Sequence, residues 1–474
     1  MLLDYQVRRF RDQSLRCQVW VANKLFKLMK LSFIFQGWRY GRSALKQYSR
    51  VDFLQKELLK GFAELKQMAF PLLRRQHCFK STIIKKTSLK NLFPIFVLIS
   101  FATVLLVNSF TSGAIAQIPR QEIRGVWMTI NDFDTLKDRA KVQNAVSQLR
   151  QLNFNTIYPV VWNSGYVMYP SAVARNTGIQ PFVFRGSDGH DILADLIAQA
   201  HRQGLFVIPW FEFGLMAPPT SELTLNHPEW FTQQRDGSQT SISAAGEVMW
   251  LNPFHPEVQQ FITSLVLEIV TQYDVDGIQF DDHMSLPREF GYDPYTLKLY
   301  TQETKKNPPI NPEDPEWVRW RADKITAFMV KLNQAVKQRN SKAIFSVAPN
   351  YYDFAYKFQL QDWLTWMRLN IVDELIVQIY RPDLQSFIAN ISRSEIQEAQ
   401  QMVPTGIGIM AGMRNRPVPI QQIQSQVRAA QGRGLGVAFF YYESLWNYAP
   451  ESLSERLAGL QSLFPAPAFR SAME

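Results

Sequence analysis

The chain has 474 residues, 46% hydrophobic and 19% charged, which excludes a disordered or fibrous protein and leaves ample material for a core. Its net charge of +10 sits at one end: residues 1–90 hold 20 of the 51 Lys and Arg but only 5 of the 41 Asp and Glu. The remainder of the chain is mildly acidic, 31 basic against 36 acidic residues, so it lacks the basic footprint of a phosphate groove and no nucleic-acid partner is expected. Cys17 and Cys78 are the two cysteines, which excludes a disulfide scaffold or a cysteine-built zinc site in the rest of the chain.

Residues 92–107 (LFPIFVLISFATVLLV) are uncharged and apolar, with Lys85, Lys86 and Lys90 before them and Ala114-Ile115-Ala116 after them. A basic stretch, an apolar run and a small-x-small end are the parts of a secretory signal peptide, here with cleavage after Ala116. The alternative is an uncleaved membrane anchor, although the run is slightly short for a span of about 20 residues. Residues 1–90 form a basic extension, read either as sequence upstream of a true start near Met68 or as a segment lying on the inner membrane surface. Either reading exports the remainder to the periplasm or the cell envelope.

From residue 121 to 465 short apolar runs alternate with helical patterns, and a tail of 466–474 closes the chain. The expected strands are Ile123–Thr129, Thr156–Trp162, Leu205–Phe213, Gly277–His283, Ile344–Ala348, Leu375–Tyr380, Gly406–Ala411 and Gly436–Tyr442. Near-continuous apolar strands separated by helices indicate a parallel sheet buried on both faces. Helical stripes run through His190–Gln203, Pro256–Tyr273, Trp317–Arg339 and Ile420–Arg433. Eight such units predict an α/β fold, a (β/α)8 barrel of the TIM type.

Barrels of this type keep their chemistry at the C-terminal ends of the strands. Asp281 and Asp282 end the fourth strand, Glu212 nearly ends the third, Glu443 follows the eighth, and Asp353 and Asp383 sit in the loops after the fifth and sixth. Strand alternation puts Gln279, Asp281 and His283 on one face, and Ile208, Trp210 and Glu212 together on the next strand. Neighbouring strands about 4.8 Å apart could bring Asp281 and Glu212 close, and carboxylates about 5–5.5 Å apart are what a retaining glycosidase uses. Trp127, Tyr158, Trp162, Trp210, Trp250, Tyr351, Tyr380, Tyr441 and Trp446 lie at or near strand ends, where flat rings could stack on sugar faces. Adjacent acids also serve as solvated turns or helix caps, and aromatics on barrel strands are more often core than platform. Asp281, Asp282 and His283 could together hold a metal, but no H-E-x-x-H spacing occurs.

The motifs RGVWMT (124–129), NTIYPVVW (155–162), PWFEFG (209–214), WLNPFHPEV (250–258), DGIQFDDH (276–283), QDWLTW (361–366), VQIYR (377–381) and GVAFF (436–440) together resemble the glycosyl hydrolase-like 10 family, once filed as a domain of unknown function. The resemblance implies a barrel distantly similar to the α-amylase superfamily and an exported envelope protein. A characterised type of the family cleaves peptidoglycan glycan strands that have lost their stem peptides. Amylase-type enzymes end a G-F-R-x-D strand with the nucleophile, and Gly277-Ile278-Gln279-Phe280-Asp281 fills that pattern, pointing to Asp281. The sequence departs from it in two places: Gln279 replaces the arginine, and the fifth strand lacks the glutamate acid.

The expectation is therefore an exported glycoside hydrolase acting on an envelope or extracellular polysaccharide, with peptidoglycan glycan strands the candidate substrate. Asp281 would be nucleophile or charge stabiliser and Glu212 the acid/base, with Asp282 behind it. Trp127, Trp162, Asn163, Trp210, Asn252, His283, Gln378, Tyr380, Arg381 and Glu443 would bind substrate. No cofactor is expected. Two alternatives stay open: an inactive glycan-binding barrel serving as an envelope scaffold, and a metal-dependent polysaccharide deacetylase.

Overall fold

In the computed structural model the chain divides into residues 1–113 and 114–474, and the described residues are 121–181 and 190–470. The expected basic extension, the signal or anchor at 92–107 and the cleavage site lie outside them. Among the described residues no helix is long and apolar enough to cross a membrane.

The parallel strands are β1 (Arg124–Met128), β2 (Thr156–Pro159), β3 in two pieces (Phe206–Val207 and Trp210–Phe211), β4 (Gly277–Asp281), β5 (Ile344–Ala348), β6 (Glu374–Gln378), β7 (Thr405–Met410) and β8 (Gly436–Phe440). Their nine segments form one sheet in the order β3 first piece, β2, β1, β8, β7, β6, β5, β4, β3 second piece. Both ends of that order belong to one short stretch of chain, interrupted by Ile208 and Pro209. Proline has no N–H to give a ladder, which is why the expected strand Leu205–Phe213 is split there. Trp210 pairs with Gln279 on one side and bridges to Val160 on the other. The sheet is therefore curled and barrel-like, with strand-following helices α1 (Arg139–Gln151), α2 (Ile192–Arg202), α3 (Pro256–Gln272), α4 (Pro315–Arg339) and α5 (Ile420–Gln431).

Local chemistry fixes these helices. Asp191 caps α2 by accepting from the Ala194 N–H at 3.0 Å, and Gly204, at φ +72°, stops the chain just beyond its end. Pro256 opens α3, whose Phe261, Ile262, Leu265 and Ile269 are all buried as the stripe requires. The expected second strand is shorter than its apolar run. Trp162 and Asn163 leave the sheet to pair with Tyr166 and Val167 in a small hairpin. A three-stranded antiparallel sheet built from 216–217, 240–243 and 246–250 adds to the long loop after β3.

The interior of the curled sheet is polar as well as aromatic. Trp127, Tyr158, Gln279, Ser346 and Glu374 are all buried there and hydrogen-bond to one another. Residues 466–470, the described part of the expected tail 466–474, belong to this folded unit: Phe469 bridges to Gln121, and the Arg470 side chain is buried.

Candidate active site

β4 ends at Asp281, buried among the C-terminal ends of its neighbours. Its Oδ1 accepts from Gln378 Nε2 at 2.6 Å, and the same nitrogen donates to the Ala348 carbonyl at 2.7 Å. The last residue of β6 thus clamps the last residue of β4 across the end of β5. Oδ2 of Asp281 lies 3.0 Å from His283 Nδ1. Asp282, in the turn just beyond the strand, accepts from Asn350 Nδ2 and stands 3.4 Å from that same Nδ1.

His283 Nδ1 also lies 2.9 Å from the backbone carbonyl of Glu212. A carbonyl oxygen only accepts, so this contact assigns a proton to Nδ1. Gly214 makes the approach of the two loops feasible: at φ +49°, a Cβ there would lie 2.4 Å from the His283 carbonyl. Burial works against a charge on His283, yet Asp282 and Asp281 raise it to about 10. Burial first, then the negative charge of Asp282, pushes Asp281 well above the usual carboxylate range, with His283 opposing. The three side chains form an imidazolium held between two carboxyl groups.

Glu212 follows β3, and the register pairs Gln279 with Trp210 and Phe280 with Phe211, so the next positions along are Asp281 and Glu212. Glu212 keeps some solvent contact, but the surrounding protein pushes its carboxyl up to about 7. Asn163 Nδ2, donating to Glu212 at 2.6 Å, holds it down, as does His283. The hairpin that takes Asn163 out of the sheet is what delivers this contact. Burial raises the phenol of Tyr380, and the negative charges of Asp281, Asp282 and Glu212 add to the rise.

A further acid, Asp132, was not among the residues expected from the sequence. It lies in the loop after β1, buried, with Oδ2 accepting from the Thr129 N–H and Oδ1 from the Glu443 N–H, both at 2.7 Å. Burial pushes it up to about 8 against those two bonds, with Glu443 and Glu212 adding to the rise. The available signal was the T-x-x-D capping pattern of Thr129 and Asp132, which on sequence alone reads as a helix start. Glu443 itself accepts from Asn447 Nδ2 at 3.0 Å.

Several expected residues stand elsewhere. Trp127, Trp162 and Trp210 are 1%, 0% and 2% exposed, so they pack beneath the site and present no face to a sugar. The indole of Trp127 donates to Gln279, and that of Trp162 to the Gly214 carbonyl. Half-buried Tyr380 and Phe440, with ring centroids 5.4 Å apart, offer accessible aromatic surface, and Tyr351 and Trp446 are half-buried as well. Asn252 is buried with its amide committed to Asp293, Thr296 and the Phe254 N–H. It secures the long loop and has no donor left for substrate. Asp353 is paired with Arg393 and Lys357, which hold it below the usual range, so it has no proton to give near neutrality. Asp383 caps a helix through Ser386. Arg381 lies over the Tyr351 ring at 5.3 Å and reaches the Tyr380 carbonyl at 3.2 Å.

Among the described residues Asp281, Asp282 and His283 are the group whose oxygen and nitrogen atoms, all within 4.8 Å of one another, could hold a metal ion. Ligation by Nδ1 needs a lone pair there. The contact with the Glu212 carbonyl instead puts a hydrogen on that atom.

A family model described as glycosyl hydrolase-like 10 matches residues 122–429, which include every acid above except Glu443. Glycosyl hydrolase DigH of Escherichia coli K12 is 26% identical over 309 residues, spanning 57% of this chain and 68% of that protein. Glycosyl hydrolase YngK of Bacillus subtilis is 23% identical over 274 residues, 53% of this chain and 50% of that one. Among solved structures, the PgaB (BpsB) glycoside hydrolase domain from Bordetella bronchiseptica aligns with a TM-score of 0.54 at 15% identity, covering 70% of this chain and 100% of that domain. Alpha-L-fucosidase isoenzyme 2 from Paenibacillus thiaminolyticus gives 0.51 at 12% identity, covering 72% and 49%. At such identities the likeness is one of fold.

Proposed function

The chain belongs to the glycosyl hydrolase-like 10 family, and on that premise we propose that it is an exported glycoside hydrolase cleaving the glycan strands of peptidoglycan. We read the curled sheet as a closed (β/α)8 barrel in which the two pieces of β3 act as one strand. Asp281 serves as nucleophile or stabiliser of the oxocarbenium ion and Glu212 as acid/base. The observation that carries this reading is Glu212, which is pushed up to about 7 and keeps a proton to give near neutral pH, and whose register neighbour Asp281 is clamped by Gln378 beside His283. Burial and Asp282 raise Asp281 as well, so the two acids differ in their partners and not in the direction of their shifts.

In the forward step Glu212 protonates the glycosidic oxygen as the bond to the anomeric carbon breaks. Asp281 then takes the anomeric carbon, or its positive charge. Water completes hydrolysis, its proton passing to Glu212. His283 offsets the charge of Asp282, so that Asp281 does not meet an uncompensated neighbour as it ionises. Tyr380 and Phe440 present aromatic surface to the sugar, and Arg381 and Glu443 lie toward the rim as polar contacts. Residues 92–107 direct export, as a cleaved signal or as an anchor.

The test is to incubate the full chain with intact peptidoglycan and with amidase-stripped glycan strands, and to look for new reducing ends by mass spectrometry. Asp281→Asn and Glu212→Gln are run beside it. New ends that vanish in both variants support the pair. Loss in Asp281→Asn alone keeps the enzyme but moves the acid to Asp282, Asp132 or Glu443. Binding without release from either substrate overturns the hydrolase reading in favour of a glycan-binding scaffold.

A further inference from the structure

Residues 466–470 run back across the start of β1. Arg124 Nη1 donates to the Ala466 carbonyl at 2.6 Å, Asn155 Nδ2 to that of Ala468 at 3.3 Å, and the Glu122 N–H to that of Phe469 at 3.2 Å. This path drives the Arg470 side chain, 5% exposed, into the N-terminal end of the curled sheet. There it pairs with Glu374, the first residue of β6, donates to Thr156 Oγ1 at 3.1 Å and lies over the Phe206 ring at 5.4 Å. Arg470 lies beyond the segment matched by the family model.

Glu374 is the foot of a hydrogen-bond chain. Its Oε1 accepts from Tyr158 OH at 2.9 Å and from Ser346 Oγ at 2.8 Å. The single hydroxyl proton of Ser346 is thereby spent, so Ser346 accepts from Gln279 Nε2 at 2.9 Å. That fixes the Gln279 amide with its oxygen toward the Trp127 indole N–H, 2.7 Å away. Trp127 packs on Trp210 and Phe440 with ring centroids 6.0 and 6.3 Å apart, and Phe440 meets Tyr380 beside the acids. Gln279 is also two residues before Asp281, on the same face of β4. Each donor along the chain points toward the anion at its foot.

We propose that Arg470 is a positioning residue for the site. As the counter-ion of Glu374 it sets the direction of the chain Glu374–Ser346–Gln279–Trp127, and so the floor beneath Asp281. Without Arg470, Glu374 is a buried carboxylate with no cation. The uncompensated charge draws Glu374 away from Ser346 toward water, which loosens the orientation of the Gln279 amide and with it the Trp127 indole. Only the catalytic consequence rests on the proposed hydrolase function; the chain of bonds does not.

The experiment uses the full chain labelled with 15N and follows the Trp127 indole N–H by NMR, assigned by its loss in Trp127→Phe. Arg470→Met is expected to shift or broaden that signal and to lower Tm by roughly 5–10 °C. Arg470→Lys, which keeps a cation, restores the signal. So does Arg470→Met combined with Glu374→Gln, because the carboxamide still accepts from Ser346 and leaves no charge unpaired. On a glycan that the wild type cleaves, Arg470→Met lowers kcat more than it raises KM. A lower Tm with the Trp127 signal unmoved makes Arg470 a stability clamp only and overturns the proposal. A wild type that cleaves no glycan defeats the hydrolase reading and leaves the indole measurement to decide this one.

Discussion

Asn163→Ala isolates the feature that sets the acid. It removes a 2.6 Å N–H···O bond to Glu212, the largest of the contacts holding that carboxyl down against burial. Hydrogen bonds to charged groups contribute about 1.5–3 kcal/mol, and a pKa unit corresponds to about 1.4 kcal/mol, so complete loss would raise Glu212 by about 1–2 units. Glu212 keeps solvent contact, and water replaces part of the lost bond, so the expected rise is about 1 unit from its starting point of about 7. A general acid works protonated, so the alkaline limb of kcat/KM marks its deprotonation. That limb should move about 1 unit to higher pH while the acid limb stays in place. Initial rates of reducing-end release from stripped glycan strands, taken across the pH range, give the profile. An alkaline limb unmoved in Asn163→Ala, or one that survives in Glu212→Gln, refutes the assignment of Glu212 as the acid. Stability follows the same sign. Glu212 is raised on folding, so its contribution is full below the unfolded value of about 4.3 and is lost as pH climbs toward the folded one. Asn163→Ala extends that loss to higher pH.

Gln378→Ala deletes the 2.6 Å bond to Asp281 Oδ1 and should cost kcat about 10- to 100-fold, read by steady-state kinetics, with a much smaller change in KM. An unchanged kcat would show that the clamp is not needed for the chemistry. Asp132→Asn removes a carboxyl raised to about 8. The wild type contributes most stability here below the unfolded value of about 3.9 and loses it as pH rises toward 8, so its Tm advantage over the variant should shrink across that window. A gap that widens with pH contradicts the burial argument. Asn252→Ala leaves Asp293 and Thr296 short of a donor and should lower stability by about 2–3 kcal/mol in urea titration, with KM for glycan little changed. A rise in KM without loss of stability would return Asn252 to the substrate.

The order of strands and helices was legible in the chain because each apolar run is bounded by turn or capping residues whose preferences are local. Asp191, Gly204 and Pro256 act within a few residues of their own position, and the helices beside them fall where the pattern puts them. That acids stand at the end of the fourth strand was legible too, although the expected strand ran to His283 and the structure ends it at Asp281. The aromatic residues were not. A tryptophan at a strand end has the same pattern whether its ring floors the barrel or faces solvent, and Trp127, Trp162 and Trp210 turn out to be floor.

What tertiary structure alone decided are the contacts between residues far apart in the chain. Glu212 and Asp281 have the same chemistry when exposed, and the Asn163 amide on one, with the Gln378 clamp and the charge of Asp282 on the other, separate them. Asp132 reads as a helix cap until the fold brings the Glu443 N–H to it across 311 residues. Arg470 reads as a tail until its guanidinium meets Glu374 inside the sheet. In each case the deciding quantity is desolvation together with a partner's charge. Both depend on which distant side chains close over the group, and a linear pattern carries the propensity for structure but not that enclosure.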